Sequence, residues 1–212
     1  AAGKGTIAHL LAEKLKGFYL NTGAMYRCLA LKVINEGIDL DNREKIIDSL
    51  SSTDIRFEDG RIFLNENDVT DRIRDRDVEL GSSKVAVIKE VRHHMVKKQQ
   101  QIAKDLMKQG ITVVAEGRDI ATRVLPDADL KVFLTASVEE RAKRRLEQLG
   151  SSKDNYNFKK VLNEVKERDK RDSERDVDPL VKDPKKFGYF VLDDTDLTEE
   201  ETLEKIIEKI ND

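Results

Sequence analysis

Gly3, Lys4, Gly5 and Thr6 stand in a row behind Ala1 and Ala2. Glycines and small residues let successive backbone N–H groups turn toward an anion, a lysine adds a mobile cation, and a threonine adds a hydroxyl suited to Mg2+. The string matches the back half of the phosphate-binding pattern G-x-x-x-x-G-K-[ST], which a preceding buried strand normally aims. The chain starts inside that pattern without a Met, so the expectation is that residues ahead of Ala1 complete the loop and supply the first strand. The implied cargo is a nucleoside triphosphate, with Thr6 nearest the Mg2+, directly or through water.

Arginines recur downstream where further phosphate could be bound. Arg27 follows the apolar run Phe18-Tyr19-Leu20. Arg118 lies in Glu116-Gly117-Arg118-Asp119, directly after the β-branched run at 111–115. The densest charge cluster runs Lys166-Glu167-Arg168-Asp169-Lys170-Arg171-Asp172-Ser173-Glu174-Arg175. Its plain reading is a solvated helix face laced with ion pairs. Its place after a strand and a polar stretch also suits a hinged lid that closes over polyphosphate. Arginine forks bind phosphate oxygens bidentately. Converging arginines with one Mg2+ are what phosphoryl transfer demands: two repelling polyanions are held in line, and a phosphate acceptor needs no general base.

These side chains need elements to carry them. Ile7, Leu10, Leu11 and Leu15 fall on one helical face, and residues 18–20 read as a strand. Asn21-Thr22 can cap a helix bearing Met25, Leu29 and Val33. Ile55, Phe57, Asp59-Gly60, Ile62 and Leu64 alternate as a hairpin with a tight turn. A long helix through Val91, Met95, Ile102 and Leu106 ends at Gly110. Strands at 111–115, 130–134 and 189–192 are the buried type found in parallel sheets. A helix over 138–149, a polar stretch over 150–157 and a second amphipathic helix with Phe158, Val161, Leu162 and Val165 separate the last two strands. Polar residues at the carboxyl ends of such strands are where open α/β sheets bind ligands.

In that order and spacing, the starting string, residues 20–27 (Leu-Asn-Thr-Gly-Ala-Met-Tyr-Arg), Glu116-Gly117-Arg118-Asp119 and the 166–175 cluster resemble the bacterial cytidylate kinases, a branch of the nucleoside monophosphate kinases. The similarity extends over nearly the whole chain. It implies an α/β, three-layer P-loop fold with a parallel central sheet. It divides the chain into a core (1–34, 93–149 and 176–212), an NMP-binding insert (35–92) and a helical lid (150–175). The implied reaction moves the γ-phosphoryl group of ATP to CMP or dCMP. By the same resemblance Gly3, Lys4, Gly5 and Thr6 hold the ATP phosphates and Mg2+, and Arg27 and Arg118 clamp the acceptor phosphate. Thr22 lines the site, Ser83, Arg92 and Asp119 read the cytosine ring, and Arg168 and Asp172 meet the acceptor sugar. Arg171 and Arg175 face the transferred group, so Lys4, Arg118, Arg168, Arg171 and Arg175 form the catalytic set. Cytosine's exocyclic amine and ring acceptors complement an Asp and an Arg or Ser. The plain alternatives are that Asp119 caps a helix, that Arg92 pairs on the surface and that Ser83 serves a turn. Asn21 departs from the acidic residue usual at that turn, and Asp176 and Asp178 add negative charge around Pro179.

The 212 residues suffice for one α/β domain with mobile inserts. The 39 basic and 42 acidic residues are intermixed and sum to −3, which argues against nucleic acid as a partner. Cys28 is the sole cysteine, so no intramolecular disulfide forms. With no apolar run long enough for a membrane span, the expectation is a cytoplasmic monomer acting on small molecules. His93 and His94, on a charged helix, are read as solvated. The rival readings are a kinase for UMP or another small metabolite, and a regulatory ATPase.

Overall fold

The computed structural model describes residues 3–58, 60–149, 157–174, 180–181 and 183–212, leaving out the side chains of Gln148, Leu149, Arg168, Arg171 and Asp172. In chain order its elements begin α1 (Lys4–Lys14), β1 (Phe18–Asn21), α2 (Thr22–Asn35), α3 (Arg43–Ser49), β2 (Ile55–Glu58), β3 (Arg61–Leu64) and β4 (Asn67–Asp68). They continue α4 (Arg76–Val85), α5 (Lys89–Lys108), β5 (Val113–Glu116), β6 (Val132–Thr135), α6 (Val138–Leu149), α7 (Phe158–Glu174), β7 (Phe190–Asp193) and α8 (Glu199–Asn211). The chain divides into two compact units, one of residues 1–19 with 111–212, the other of residues 20–110.

In the first unit, Ile7 and Leu11 lie one turn apart on α1 and bury against Leu134, Leu192 and Ile206. β6 and β7 run parallel, with Val132 opposite Phe190 and Leu134 opposite Leu192. The parallel pairing expected from strand–helix alternation is therefore present. β1 is the neighbour of β5, and its first residue donates from Phe18 N to the Thr112 carbonyl at 2.7 Å. Gly17 makes that approach possible: a β-carbon there would stand 2.6 Å from the Thr112 oxygen, closer than real contacts allow. A satellite core joins α6 to α7 through Ala142, Val161 and Val165, flanked by Val138, Leu146 and Leu162. α8, which the sequence reading did not pick out, starts with a capping box between Thr198 and Glu201.

In the second unit, α2 is apolar on nearly every side, with Ala24, Met25, Cys28, Leu29 and Val33 fully buried. A helix of that kind must be surrounded. Val78 and Val85 of α4, Val91 and Met95 of α5, and Ile55, Ile62 and Leu64 of the hairpin share its core. β2 and β3 pair antiparallel, Ile55 opposite Leu64, so the predicted hairpin is present, and β4 extends it. Asp59 of the expected turn lies outside the described residues. α5 ends where Gly110 takes a φ of 76°, as its pattern implied. α3 and α4 carry too many charges for the pattern to have separated them from loop.

Candidate active site

Lys4 is the first residue of α1. Gly3 ahead of it adopts φ 63° and ψ 1°, the left-handed region in which any other residue is strained. The helix then closes on this glycine, with Ile7 N donating to the Gly3 carbonyl at 3.0 Å. No acidic residue lies in the first turn of α1, so its positive end is not cancelled from within, and Thr6 is exposed there. Gly5 is close to the end of β5: a β-carbon on it would stand 3.4 Å from the Tyr19 hydroxyl and 3.5 Å from Glu116 Oε1. Tyr19 donates to that same carboxylate oxygen at 2.9 Å, and the His9 ring meets Tyr19 edge-on at 5.7 Å.

Glu116 and Tyr19 are thus gathered beside the turn, although the sequence reading treated Glu116 only as part of a motif. An acidic residue ending a β-branched, half-buried strand was the available signal. Asp119 is buried and precedes the short helical turn Ile120–Val124, whose Arg123 N donates to the Asp119 carbonyl at 2.8 Å. Its side chain does not cap that turn, so the capping alternative is not realised. Its negative charge reaches Tyr189 instead. Burial, and then the field of Asp119, push the Tyr189 phenol above its usual range. Arg118 is half-buried beside it.

The second unit holds Thr22, Arg27, Ser83 and Arg92. Thr22 is buried at the start of α2, where Asn21 Oδ1 accepts from Ala24 N at 2.9 Å. A neutral amide therefore does the capping at this turn. Arg27 and Ser83 are half-buried. Arg92 is only 2% exposed. Its Nη1 donates to the Ala86 carbonyl at 3.3 Å, and its guanidinium lies 5.7 Å over the Tyr26 ring, next in sequence to Arg27. A surface ion pair, the plain alternative for Arg92, is excluded by that burial.

Arg168, Arg171 and Asp172 fall on α7, but their side chains, and Arg175 entirely, lie outside the described residues. Between them in sequence, Asp169 accepts from Arg141 Nη1 at 2.6 Å, tying α7 to α6. His93 is exposed as expected. His94 is half-buried, and its Nε2 is buried without a hydrogen-bond partner among the described residues. Burial, reinforced by Lys98 and Lys97, lowers its pKa. Among the described residues no group of His, Cys, Asp and Glu is arranged to hold a metal ion by itself, and no helix is long and apolar enough to cross a membrane.

A left-handed glycine, a helix-opening lysine and parallel strands in a mixed α/β chain are features that fit a P-loop kinase fold. The profile of the cytidylate kinase family matches residues 1–212. A cytidylate kinase of Caldanaerobacter subterraneus subsp. tengcongensis is 45% identical over 209 residues, covering 99% of this chain and 90% of the relative. Those of Caldicellulosiruptor bescii (44% over 211 residues, 98% and 90%) and Bacillus subtilis (42% over 214 residues, 99% and 92%) are similar to the same extent. The chain belongs to the cytidylate kinase family and is, with it, a nucleoside monophosphate kinase.

Proposed function

We propose that this protein transfers the γ-phosphoryl group of ATP to CMP or dCMP, giving ADP and CDP or dCDP by in-line displacement. The observation that carries the reading is the similarity, over essentially the whole chain, to proteins named cytidylate kinase. It is supported by the string Gly3-Lys4-Gly5-Thr6, in which Gly3 takes a left-handed conformation directly ahead of the N-terminus of α1. Gly3, Lys4, Gly5 and Thr6 hold the ATP phosphates. Arg27 and Arg118 clamp the acceptor phosphate, Ser83, Arg92 and Asp119 read cytosine, and Thr22 lines the pocket. Arg168 and Asp172 hold the acceptor sugar, while Arg171 and Arg175 neutralise charge developing on the transferred group. The acceptor phosphate is the nucleophile, so these residues position and neutralise rather than take a proton.

Mg2+ arriving with the nucleotide fits the donors present. Thr6 offers an exposed hydroxyl, and Glu116 offers a hard carboxylate oxygen steadied by Tyr19 beside Gly5. An ion that keeps several waters and takes phosphate oxygens needs few protein ligands. When bound it would offset charge on the phosphates. The further organisation we propose is a three-layer core of 1–34, 93–149 and 176–212, an acceptor-binding insert at 35–92 and a lid at 150–175, in a cytoplasmic monomer.

The test is nucleotide-dependent ADP release with CMP, dCMP, UMP and AMP as acceptors. CMP or dCMP should be the preferred substrate, and Lys4→Ala should lower turnover at least about a hundredfold without changing the fold. Equal or better use of AMP or UMP overturns cytosine selection, and ADP release that ignores every acceptor supports a regulatory ATPase instead.

A further inference from the structure

Arg144 of α6 and Asp194, which directly follows β7, form an ion pair that the reaction scheme does not use. Arg144 Nη1 donates to Asp194 Oδ2 at 3.0 Å, Nη2 to the Asp194 carbonyl at 2.8 Å, and Nε to Glu140 Oε1 at 3.2 Å. The guanidinium is therefore fixed along its whole fork. Asp194 is fixed as well. Its N–H donates to the Thr135 carbonyl at 2.9 Å, and the adjacent Thr195 Oγ1 accepts from Ser137 N at 2.8 Å. The pair thus rests on β6, α6 and the segment after β7.

Its location gives it meaning. A β-carbon built on Gly3 would stand 3.8 Å from Arg144 Nη1 and 3.8 Å from Asp194 Oδ2, so both charged ends pack against the left-handed residue that opens the phosphate-binding turn. That turn receives no side-chain cap of its own.

Stability alone is a poor reason for such a pair. Asp194 is 2% exposed, and its second oxygen, Oδ1, is buried without a hydrogen-bond partner among the described residues. Taking two charges out of water is costly, and an apolar pair of similar volume often serves a core as well or better. Burial raises the Asp194 carboxyl above its usual range, against the pull of Arg144. For Arg144, burial works against the charge, yet its hydrogen bond to Asp194 and the fields of Asp194 and Glu140 raise its pKa above the ordinary value.

We propose that Arg144 and Asp194 are positioning residues for the phosphate-binding turn: clamped to each other and to the sheet, they hold Gly3 in its left-handed conformation and so keep the N–H groups of α1 aimed at a triphosphate. The inference rests on the reading that this turn holds ATP. Because the pair acts through the turn, its loss weakens the ATP side of the reaction and spares the acceptor side.

The experiment measures equilibrium ATP binding, KM for ATP, KM for CMP, kcat and thermal unfolding for the wild type, Asp194→Asn and Arg144→Lys. Asp194→Asn should weaken ATP binding and raise the ATP KM roughly tenfold to a hundredfold. Its KM for CMP and its kcat at saturating ATP should stay within about threefold of wild type. Arg144→Lys keeps the charge but not the fork and should show a smaller effect of the same kind. If Asp194→Asn does not fold, Arg144→Lys alone decides. Unchanged ATP binding in the folded variants, or KM values for ATP and CMP that move together in step with thermal stability, overturns the proposal. A wild type that fails to bind ATP at all overturns the reading of the turn instead, so the two failures are told apart.

Discussion

Each functional side chain draws its chemistry from its immediate surroundings, and Cys28 shows the converse case. It is buried inside α2, and burial pushes its thiol from 9.0 up to about 12, against the pull of Arg27. The thiolate is the reactive form, so the folded protein should not react with a disulfide reagent at mildly alkaline pH, whereas the unfolded chain should titrate one thiol. The linkage has a definite sign. An acid whose folded pKa is raised binds more protons folded than unfolded, so its contribution to stability is intact below 9.0 and declines as pH rises toward about 12. Thermal unfolding of wild type against Cys28→Ala over that range should show their difference changing with pH only above 9.0. A pH-independent difference would show that the thiol is not shielded. Residue identity at the starting string and at Glu116-Gly117-Arg118-Asp119 was legible because those motifs depend on neighbours in sequence. The burial of Arg92 and the retention of Asp194 were not, because a residue's burial depends on what packs over it.

Elements succeed or fail on single contacts. Gly17 lets the chain pass so close to Thr112 that any β-carbon would meet a backbone carbonyl at 2.6 Å, and backbone cannot swing aside as a side chain can. Gly17→Ala should displace the start of β1 and cost several kcal/mol, about the upper range of overpacking substitutions. Chemical denaturation will measure it, and a loss within about 0.5 kcal/mol would show that the strand start yields freely. Gln99 on α5 presents the opposite fault. It is 0% exposed, and neither its Nε2 nor its Oε1 has a hydrogen-bond partner among the described residues. A buried amide without partners costs about 1–3 kcal/mol, so Gln99→Met, which keeps the length of the side chain, should raise the unfolding midpoint. A lower midpoint would mean that the amide is satisfied in solution. Helix and strand types with a clear period, as in α1, α5 and the β2–β3 hairpin, were legible in advance. α3 and α4 were hidden by charge density, and α8 was overlooked despite its Thr198 and Glu201 capping residues.

At the scale of the whole molecule, the chain builds separate cores. Every member of the large cluster around α2 falls within residues 20–110, and the clusters around α1 and α6 fall outside that span. A continuous segment with its own buried core can fold alone. A fragment of residues 20–110 should therefore show helical circular dichroism and a cooperative thermal transition. A fragment lacking any cooperative transition would mean that the core needs the rest of the chain. Full-length unfolding should correspondingly depart from two-state behaviour, seen as transitions that differ between probes.

The sequence by itself determined the family, the order of the phosphate-binding motifs and the kinds of elements that carry them, because motif chemistry and hydrophobic period are local. Only the tertiary structure decided that Tyr19 meets Glu116 across 97 positions and that Arg144 meets Asp194 across 50. Such encounters follow from how strands pair and helices pack once the cores close. Arg144 and Asp194 carry no pattern along the chain because they are neighbours only in space.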